Sequence, residues 1–258
     1  CDTSQLGQQA CSDFLIPGYR SASYYLRSAD PVLVLRGLIG GAVQVALIGA
    51  VLLLPAGTWD WPRAIQFLMG YGLVVGIAVV VLAWIAPEGL EARLAAPASA
   101  SQPLGDRIAS ALLFAALFAW LVFVPIDVFR LELLAPPSLA ISIVGAVVCL
   151  AGFMVILMTI YQNSFAAPIV KDQSERGQTL VDTGLYRRVR HPMYTGMLLW
   201  LAGLGLWLES TTAAIGVLAL VPFFLGRIHA EERFLRDMLE GYGDYTNRVR
   251  HRLIPFVW

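Results

Sequence analysis

The sequence predicts an all-α membrane protein, a polytopic bundle of about six transmembrane helices that ends in a helical hairpin. Hydrophobic residues make up 58% of the 258-residue chain, and its mean hydropathy is +0.69. Only 14% of the residues are charged, against roughly 25% in soluble domains. The apolar residues fall in separate runs, several of them about 20 residues long, the length that a helix needs to cross a bilayer.

Four apolar runs are long enough for a full span, at about residues 32–54, 64–85, 108–128 and 139–161. Two shorter runs, at about 193–208 and 212–225, are separated by Glu209 and Ser210. They predict a tight helical hairpin, with a partly re-entrant pair as the alternative. The sequence therefore divides into a polar N-terminal arm (1–31), a four-helix segment (32–161) and a C-terminal segment that carries the candidate site (162–258).

The positions of the basic residues predict the orientation, because cytoplasmic loops carry an excess of Lys and Arg. Six spans place most of these residues on one side, whereas the opposite side holds only Arg63 and Arg130. We therefore expect both termini in the cytoplasm. The Ala-, Val-, Leu- and Arg-rich composition is typical of a GC-rich bacterium, and an inner membrane is the expected location. Asp127 and Glu132, at the end of the third span, are expected to be solvated.

Charge and ligand spacing argue against two classes of partner. The formal net charge is zero, so no long-range field would recruit nucleic acid. Cys1, Cys11 and Cys149 form no C-x-x-C pair, and the three histidines lack metal-ligand spacing. We expect neither a nucleic acid nor a metal ion to bind.

Residues 178–196 contain the first candidate site. Proline is favoured at the first position of a helix, and the helical conformation is disfavoured for the residue before it, His191, so a helix is predicted to begin at Pro192. The first N–H groups of a helix have no partner inside it. With Arg190 beside them, they would suit a carboxylate or a phosphate. These N–H groups belong to Met193, Tyr194 and Thr195. The alternative interpretation is that Arg190 and His191 are only the ordinary basic flank of a membrane helix.

Arg227 and Glu231 form the second candidate element. They are four residues apart, which places them on one face of a helix, and they follow the last apolar run. Held at the membrane face near residues 178–196, the opposite charges would suit a zwitterion or two ligands at once. The alternative is a surface ion pair that contributes little.

Both elements belong to one longer pattern. It comprises an N-terminal part, an apolar hairpin and a C-terminal part: Gly184, Tyr186, Arg190, His191, Pro192, Tyr194 and Gly196, then Arg227, Glu231 and Glu232, then Tyr242, Tyr245 and Arg248. In order and spacing, this pattern resembles the isoprenylcysteine carboxyl methyltransferase family, which is grouped with the phospholipid methyltransferases. The resemblance covers about residues 160–258, and the first four spans share only their hydrophobicity with the family.

The resemblance implies a membrane methyltransferase that uses S-adenosyl-L-methionine. Arg227 would face the methyl acceptor and act with Glu231 as the catalytic pair. The acceptor would be a lipophilic small molecule or a lipid-linked group in contact with membrane lipid, and its reacting group is left open among carboxylate, amine and thiol. In a bacterium, a prenylated CaaX protein is disfavoured as the substrate. The implied cofactor pocket comprises Gln178, Thr179, Leu180, Val181, Tyr186, Arg190, His191, Pro192, Met193, Tyr194 and Glu231.

Two other classes of protein remain open. A sterol-reductase-like membrane oxidoreductase that uses NADPH shares an Arg-His-Pro-x-Tyr element. In those proteins the proline is commonly followed by Asn-Tyr-Phe-Gly, whereas this chain has Met193-Tyr194-Thr195-Gly196, which favours the methyltransferase. The other alternative is a non-catalytic membrane subunit that retains the fold.

Overall fold

The computed structural model describes residues 30–94, 104–163, 165, 179–255 and 258. These residues form eight α-helices and no strand, so the all-α prediction is confirmed. The N-terminal arm predicted at 1–31 falls almost wholly outside the described residues, as does Gln178 of the predicted cofactor pocket. The helices are α1 (Pro31–Ala56), α2 (Pro62–Ile85), α3 (Pro87–Leu94), α4 (Leu104–Ile126), α5 (Leu139–Gln162), α6 (Pro192–Trp207), α7 (Thr211–Met238) and α8 (Tyr242–Arg248).

Five of these helices are long and apolar enough to cross a membrane. They are α1, α2, α4 with the π-helical turn Asp127–Leu131 that continues it, α5, and α7. The four long predicted runs correspond to α1, α2, α4 and α5. Helix α6 has 16 residues and therefore spans about 24 Å, less than the roughly 30 Å of a hydrocarbon core. The prediction of about six spans is thus roughly consistent with the five long helices and the one short helix.

The predicted hairpin is formed by α6 and α7, but α7 does not end near residue 225. It continues to Met238 as one helix of 28 residues. The apolar run stops where the helix becomes polar, and Arg and Glu are good helix formers, so the backbone continues unchanged. The turn between the two helices is short because Glu209 adopts a left-handed conformation (φ 70°). Ser210 then caps α7 by accepting a hydrogen bond from the N–H of Ala213 at 2.9 Å.

Asp127 contradicts the expectation of a solvated carboxylate, because it is 2% exposed. Its Oδ2 accepts a hydrogen bond from the Ser210 hydroxyl at 2.5 Å, and its Oδ1 accepts one from the N–H of Leu133 at 3.2 Å. A buried carboxylate needs such partners. Asp127 therefore ties the end of α4 to the hairpin turn.

Helices α5 and α6 approach each other closely because glycines face glycines. A Cβ added at Gly196 would lie 2.8 Å from the carbonyl oxygen of Gly152, and one added at Gly203 would clash with the backbone nitrogen of Cys149. Small residues allow membrane helices to pack backbone against backbone. The contact fixes the position of α6, and with it the segment that begins at Pro192.

Candidate functional site

Polar side chains from several elements meet at one end of the bundle, in and around the first turns of α4 and α6. Arg227 of α7 lies at the centre and is 1% exposed. Its Nη1 donates to Oδ1 of Asp106 on α4 at 2.6 Å and lies 3.6 Å from Oε2 of Glu231. The Tyr194 hydroxyl on α6 donates to the same Oε2 at 2.7 Å. The structure thus brings together Arg227, Glu231 and Tyr194, which the sequence had singled out, and adds Asp106.

Asp106 was missed because nothing local in the sequence connects it to Arg227. It lies in the first turn of α4, 121 residues before its partner. The available signal was a lone carboxylate at the start of an apolar run, where an exposed helix-terminal residue is the ordinary interpretation. Its 2% exposure in the structure excludes that interpretation.

The first turn of α6 contributes aromatic and sulfur-containing side chains. The ring of Tyr194 stacks on His191 with centroids 5.6 Å apart and meets Phe224 edge-on at 5.7 Å. Sδ of Met193 accepts a hydrogen bond from Nη2 of Arg93 on α3 at 3.6 Å. Burial lowers the pKa of Arg93 to about 10, so its guanidinium stays charged at neutral pH. A second cation therefore lies beside the predicted cofactor segment.

Glu232, next to Glu231, has a separate set of partners. Its Oε1 accepts from Nε of Arg190 at 2.8 Å and from Nε of Arg252 at 3.1 Å, and lies 3.2 Å from Nε2 of His191. Nη2 of Arg236 lies 3.5 Å from its Oε2. Glu232 is 2% exposed. It is the hub of a buried charge cluster that no local sequence pattern predicts.

The Glu232 cluster gives Arg190 and His191 partners within the protein. Nη1 of Arg190 also donates to the carbonyls of Thr246 and Val249, at 3.3 Å and 3.0 Å. The backbone N–H groups of Arg190 and His191 donate to the carbonyls of residues 251 and 252, at 3.0 Å and 2.9 Å. These contacts hold the C-terminal segment of the chain against the start of α6.

The anion site predicted at the start of α6 does not form as expected. The N–H groups of Tyr194 and Thr195 both donate to the carbonyl of His191, at 3.1 Å and 3.3 Å. His191 adopts φ −124° and ψ 62°, which turns its carbonyl toward the first turn of the helix. The expectation of unpartnered donors at these two residues is therefore wrong. The Thr195 hydroxyl is also engaged, since it donates to the carbonyl of Leu253 at 2.7 Å.

The segment before α6 contributes the remaining predicted residues. Thr179 is exposed and Val181 is half-buried, while Leu180 packs against the apolar cluster around α8. Tyr186 lies in a 3₁₀ turn, Gly184–Arg187, and its hydroxyl accepts a hydrogen bond from the Asn163 amide at 3.1 Å. Burial raises the pKa of Tyr186 above its usual value, so the hydroxyl keeps its proton at neutral pH.

Residues 140–243 match the model of the phospholipid methyltransferase family. A rice protein named "Probable protein-S-isoprenylcysteine O-methyltransferase" is 31% identical over 121 residues, which are 45% of this chain and 62% of the rice protein. The Saccharomyces cerevisiae protein-S-isoprenylcysteine O-methyltransferase is 37% identical over 91 residues, 34% of this chain and 38% of the yeast protein. A cobalt-zinc-cadmium resistance protein, CzcN of Cupriavidus metallidurans, is 35% identical over 75 residues, 29% of this chain and 35% of that protein.

The resemblance to this methyltransferase family is confirmed. The match spans α5, α6 and α7 and ends at the beginning of α8. It contains Tyr194, Arg227, Glu231 and Glu232, whereas Arg93 and Asp106 precede it. The chain spans less than two thirds of the length of each of these relatives.

Proposed function

We propose that this chain is a membrane methyltransferase that transfers a methyl group from S-adenosyl-L-methionine to an amphipathic or lipophilic acceptor. The observation that carries the proposal is the contact of Tyr194 and Arg227 with Glu231, inside a region that matches the phospholipid methyltransferase family. Relatives that share this region are named as O-methyltransferases acting on isoprenylcysteine.

The side chains present fit the charged groups of the cofactor, which carries an ammonium, a carboxylate and a sulfonium. The Glu231 side chain is 24% exposed and suits the ammonium, while the Arg93 guanidinium suits the carboxylate. Arg190 has an indirect role, because its ion pair with Glu232 holds the segment before α6 in place. The bound cofactor would supply an electrophilic methyl group. We assign its binding to Thr179, Leu180, Val181, Tyr186, His191, Pro192, Met193, Tyr194 and Glu231, while Gln178 remains a prediction outside the described residues.

Arg227 is the residue that we assign to the acceptor. It is almost completely buried, so water is excluded around it and its contacts act in a medium of low polarity. The Tyr194 hydroxyl donates a hydrogen bond to Glu231 and the Tyr186 hydroxyl keeps its proton at neutral pH, so neither hydroxyl acts as a base. A carboxylate acceptor would need no base, whereas an amine or a thiol must lose its proton before attack. Catalysis would then come mainly from positioning and desolvation.

A lipophilic acceptor is supported by an apolar groove of about 280 Å³ between α2, α5 and α6. Trp200 of α6 lines it and lies six residues from Tyr194, which is about 9 Å along the helix axis. Each methylene of an acyl or prenyl chain that is kept from water contributes about 0.8 kcal/mol. The other lining residues include Phe67, Tyr71, Leu150 and Phe153.

Calorimetric titration with S-adenosylhomocysteine tests the proposal. The wild-type protein should bind this product, and Glu231→Ala should weaken binding about 10- to 100-fold, because a hydrogen bond to a charged group contributes roughly 1.5–3 kcal/mol. Arg227→Ala should weaken binding less, since Arg227 faces the acceptor. Glu240→Ala, at an exposed position of the same region, is the matched control.

Two outcomes would contradict the proposal. Binding of NADPH without binding of S-adenosylhomocysteine would favour the reductase. Unchanged affinity for S-adenosylhomocysteine in both Glu231→Ala and Arg227→Ala would mean that the two residues form only a structural ion pair.

A further inference from the structure

The contact between Asp106 and Arg227 has features that a surface ion pair lacks. The two atoms are 2.6 Å apart, and both side chains are 2% exposed. Arg227 belongs to the region that matches the methyltransferase family, whereas Asp106 lies outside it on α4. A residue from outside the matched region therefore contacts the guanidinium that we assign to the acceptor.

A purely structural clamp between α4 and α7 explains this contact poorly. The two helices already pack through buried apolar side chains such as Leu113, Trp120 and Phe224. The Trp120 indole adds a hydrogen bond to the carbonyl of Ala213 at 2.9 Å. Buried ion pairs contribute little net stability compared with apolar residues of similar size. Asp106 must therefore be explained by its effect on Arg227.

Asp106 has two effects on Arg227. It fixes Nη1, which sets the direction in which the remaining donors of the planar guanidinium point. It also offsets the positive charge, and Glu231 at 3.6 Å adds a second carboxylate. An anionic group that approaches Arg227 would meet two carboxylates around one guanidinium.

We propose that Asp106 is a positioning and specificity-determining residue, which orients Arg227 and makes the acceptor site discriminate against a carboxylate relative to an uncharged group. The inference rests on the proposed function, because it requires that Arg227 faces the acceptor. Replacement of Asp106 by Asn keeps the size of the side chain and one acceptor oxygen, but it leaves the charge of Arg227 less compensated.

The test compares two probes that differ only in charge at one group, N-acetyl-S-farnesylcysteine and its carboxamide. The full chain is embedded in nanodiscs and saturated with S-adenosylhomocysteine, and binding is measured by surface plasmon resonance with empty nanodiscs subtracted. The measured quantity is the ratio of the affinity for the carboxylate probe to the affinity for the carboxamide probe. In Asp106→Asn we expect this ratio to be at least about tenfold higher than in the wild-type protein. Asp106→Glu should return the ratio toward the wild-type value.

Asp60→Asn is the matched control, since Asp60 is exposed, and it should leave the ratio unchanged. The same ratio in wild type and Asp106→Asn would overturn the proposal, and so would failure of both proteins to bind either probe. Calorimetry with S-adenosylhomocysteine shows whether Asp106→Asn still has a folded cofactor site. If it does not, Asp106→Ser, which removes the same charge, is the second variant. If the wild-type protein does not bind S-adenosylhomocysteine, the proposed function itself is contradicted. This outcome differs from an unchanged probe ratio in Asp106→Asn, which contradicts only the role of Asp106.

Discussion

Replacement of Glu232 by Ala should destabilise the protein more than the same change at Glu231. Glu232 is almost completely buried and accepts from the guanidinium of Arg190, which is 6% exposed, at 2.8 Å. Removal of one partner from a buried ion pair costs about 3–5 kcal/mol, because the other charge stays buried without compensation. The contact with Arg236 adds little, since the Arg236 side chain is 51% exposed and water screens it. We therefore expect a loss of about 3–5 kcal/mol.

Thermal unfolding of the purified protein in detergent measures this effect. A loss of this size corresponds to a fall of roughly 10 °C in the apparent unfolding temperature. Glu231→Ala is the matched control, because it makes the same change one residue earlier on the same helix, at a side chain that is 24% exposed. We expect it to cost about 1–3 kcal/mol, because the buried Tyr194 hydroxyl loses its acceptor, while Arg227 keeps its contact with Asp106. Equal losses in the two variants would refute the assignment of Glu232 as the hub of a buried cluster.

Three further predictions concern the site, the helix packing and the topology. Tyr194→Phe should weaken S-adenosylhomocysteine binding about tenfold in calorimetry, because Glu231 loses a charge-assisted hydrogen bond. Gly203→Ala should lower the free energy of unfolding by about 1–3 kcal/mol through overpacking, which thermal unfolding measures. Gly226→Ala is the control, because a Cβ there would meet no atom within 4 Å, and equal effects of the two changes would contradict the packing argument. Cysteines at positions 209 and 240 should react with impermeant reagents from opposite sides of the membrane, with 240 cytoplasmic, and labelling of 209 from the cytoplasm would contradict the orientation.

The sequence predicted the positions of four of the five long helices because hydropathy reports how much of each helix must contact lipid. For the same reason, it did not show that the last apolar run and the helical stretch that carries Arg227 and Glu231 form one continuous helix. Hydropathy detects where a helix becomes polar, and the backbone of α7 continues well beyond that point, to Met238. The helix ends at Met238, where Leu239 follows in an extended conformation, and the left-handed Gly241 (φ 78°) then begins α8.

Within the site, the sequence identified the pair Arg227 and Glu231 and placed it near residues 178–196, but it missed the contacts of Arg227 with Asp106 and of Glu232 with Arg190. Arg227 and Glu231 share a helix face, and the spacing alone shows this. The partners of Glu232 and Arg227 on other elements lie 42 and 121 residues away, at Arg190 and Asp106. No local pattern encodes such contacts, because they depend on how the helices pack.

Glu231 and Glu232 show why a local pattern is insufficient even at neighbouring positions. Successive residues on a helix point about 100° apart, so two adjacent carboxylates face different surroundings. Glu231 meets Tyr194 and Arg227, and Glu232 meets the cations that hold the C-terminal segment. Glu231 is thus partly exposed, whereas Glu232 is buried among its ion-pair partners. Only the tertiary structure distinguishes the two carboxylates.

The division of the site between matched and unmatched helices has a consequence for acceptor choice. The residues assigned to the cofactor come mainly from the region that matches the phospholipid methyltransferase family, whereas Arg93 and Asp106 come from α3 and α4 outside it. A carboxylate from α4 can change the charge around Arg227 without altering the segment assigned to the cofactor. We therefore expect acceptor preference to depend on α4, because the charge that an incoming acceptor meets is the sum of Arg227 and whatever side chain α4 places against it.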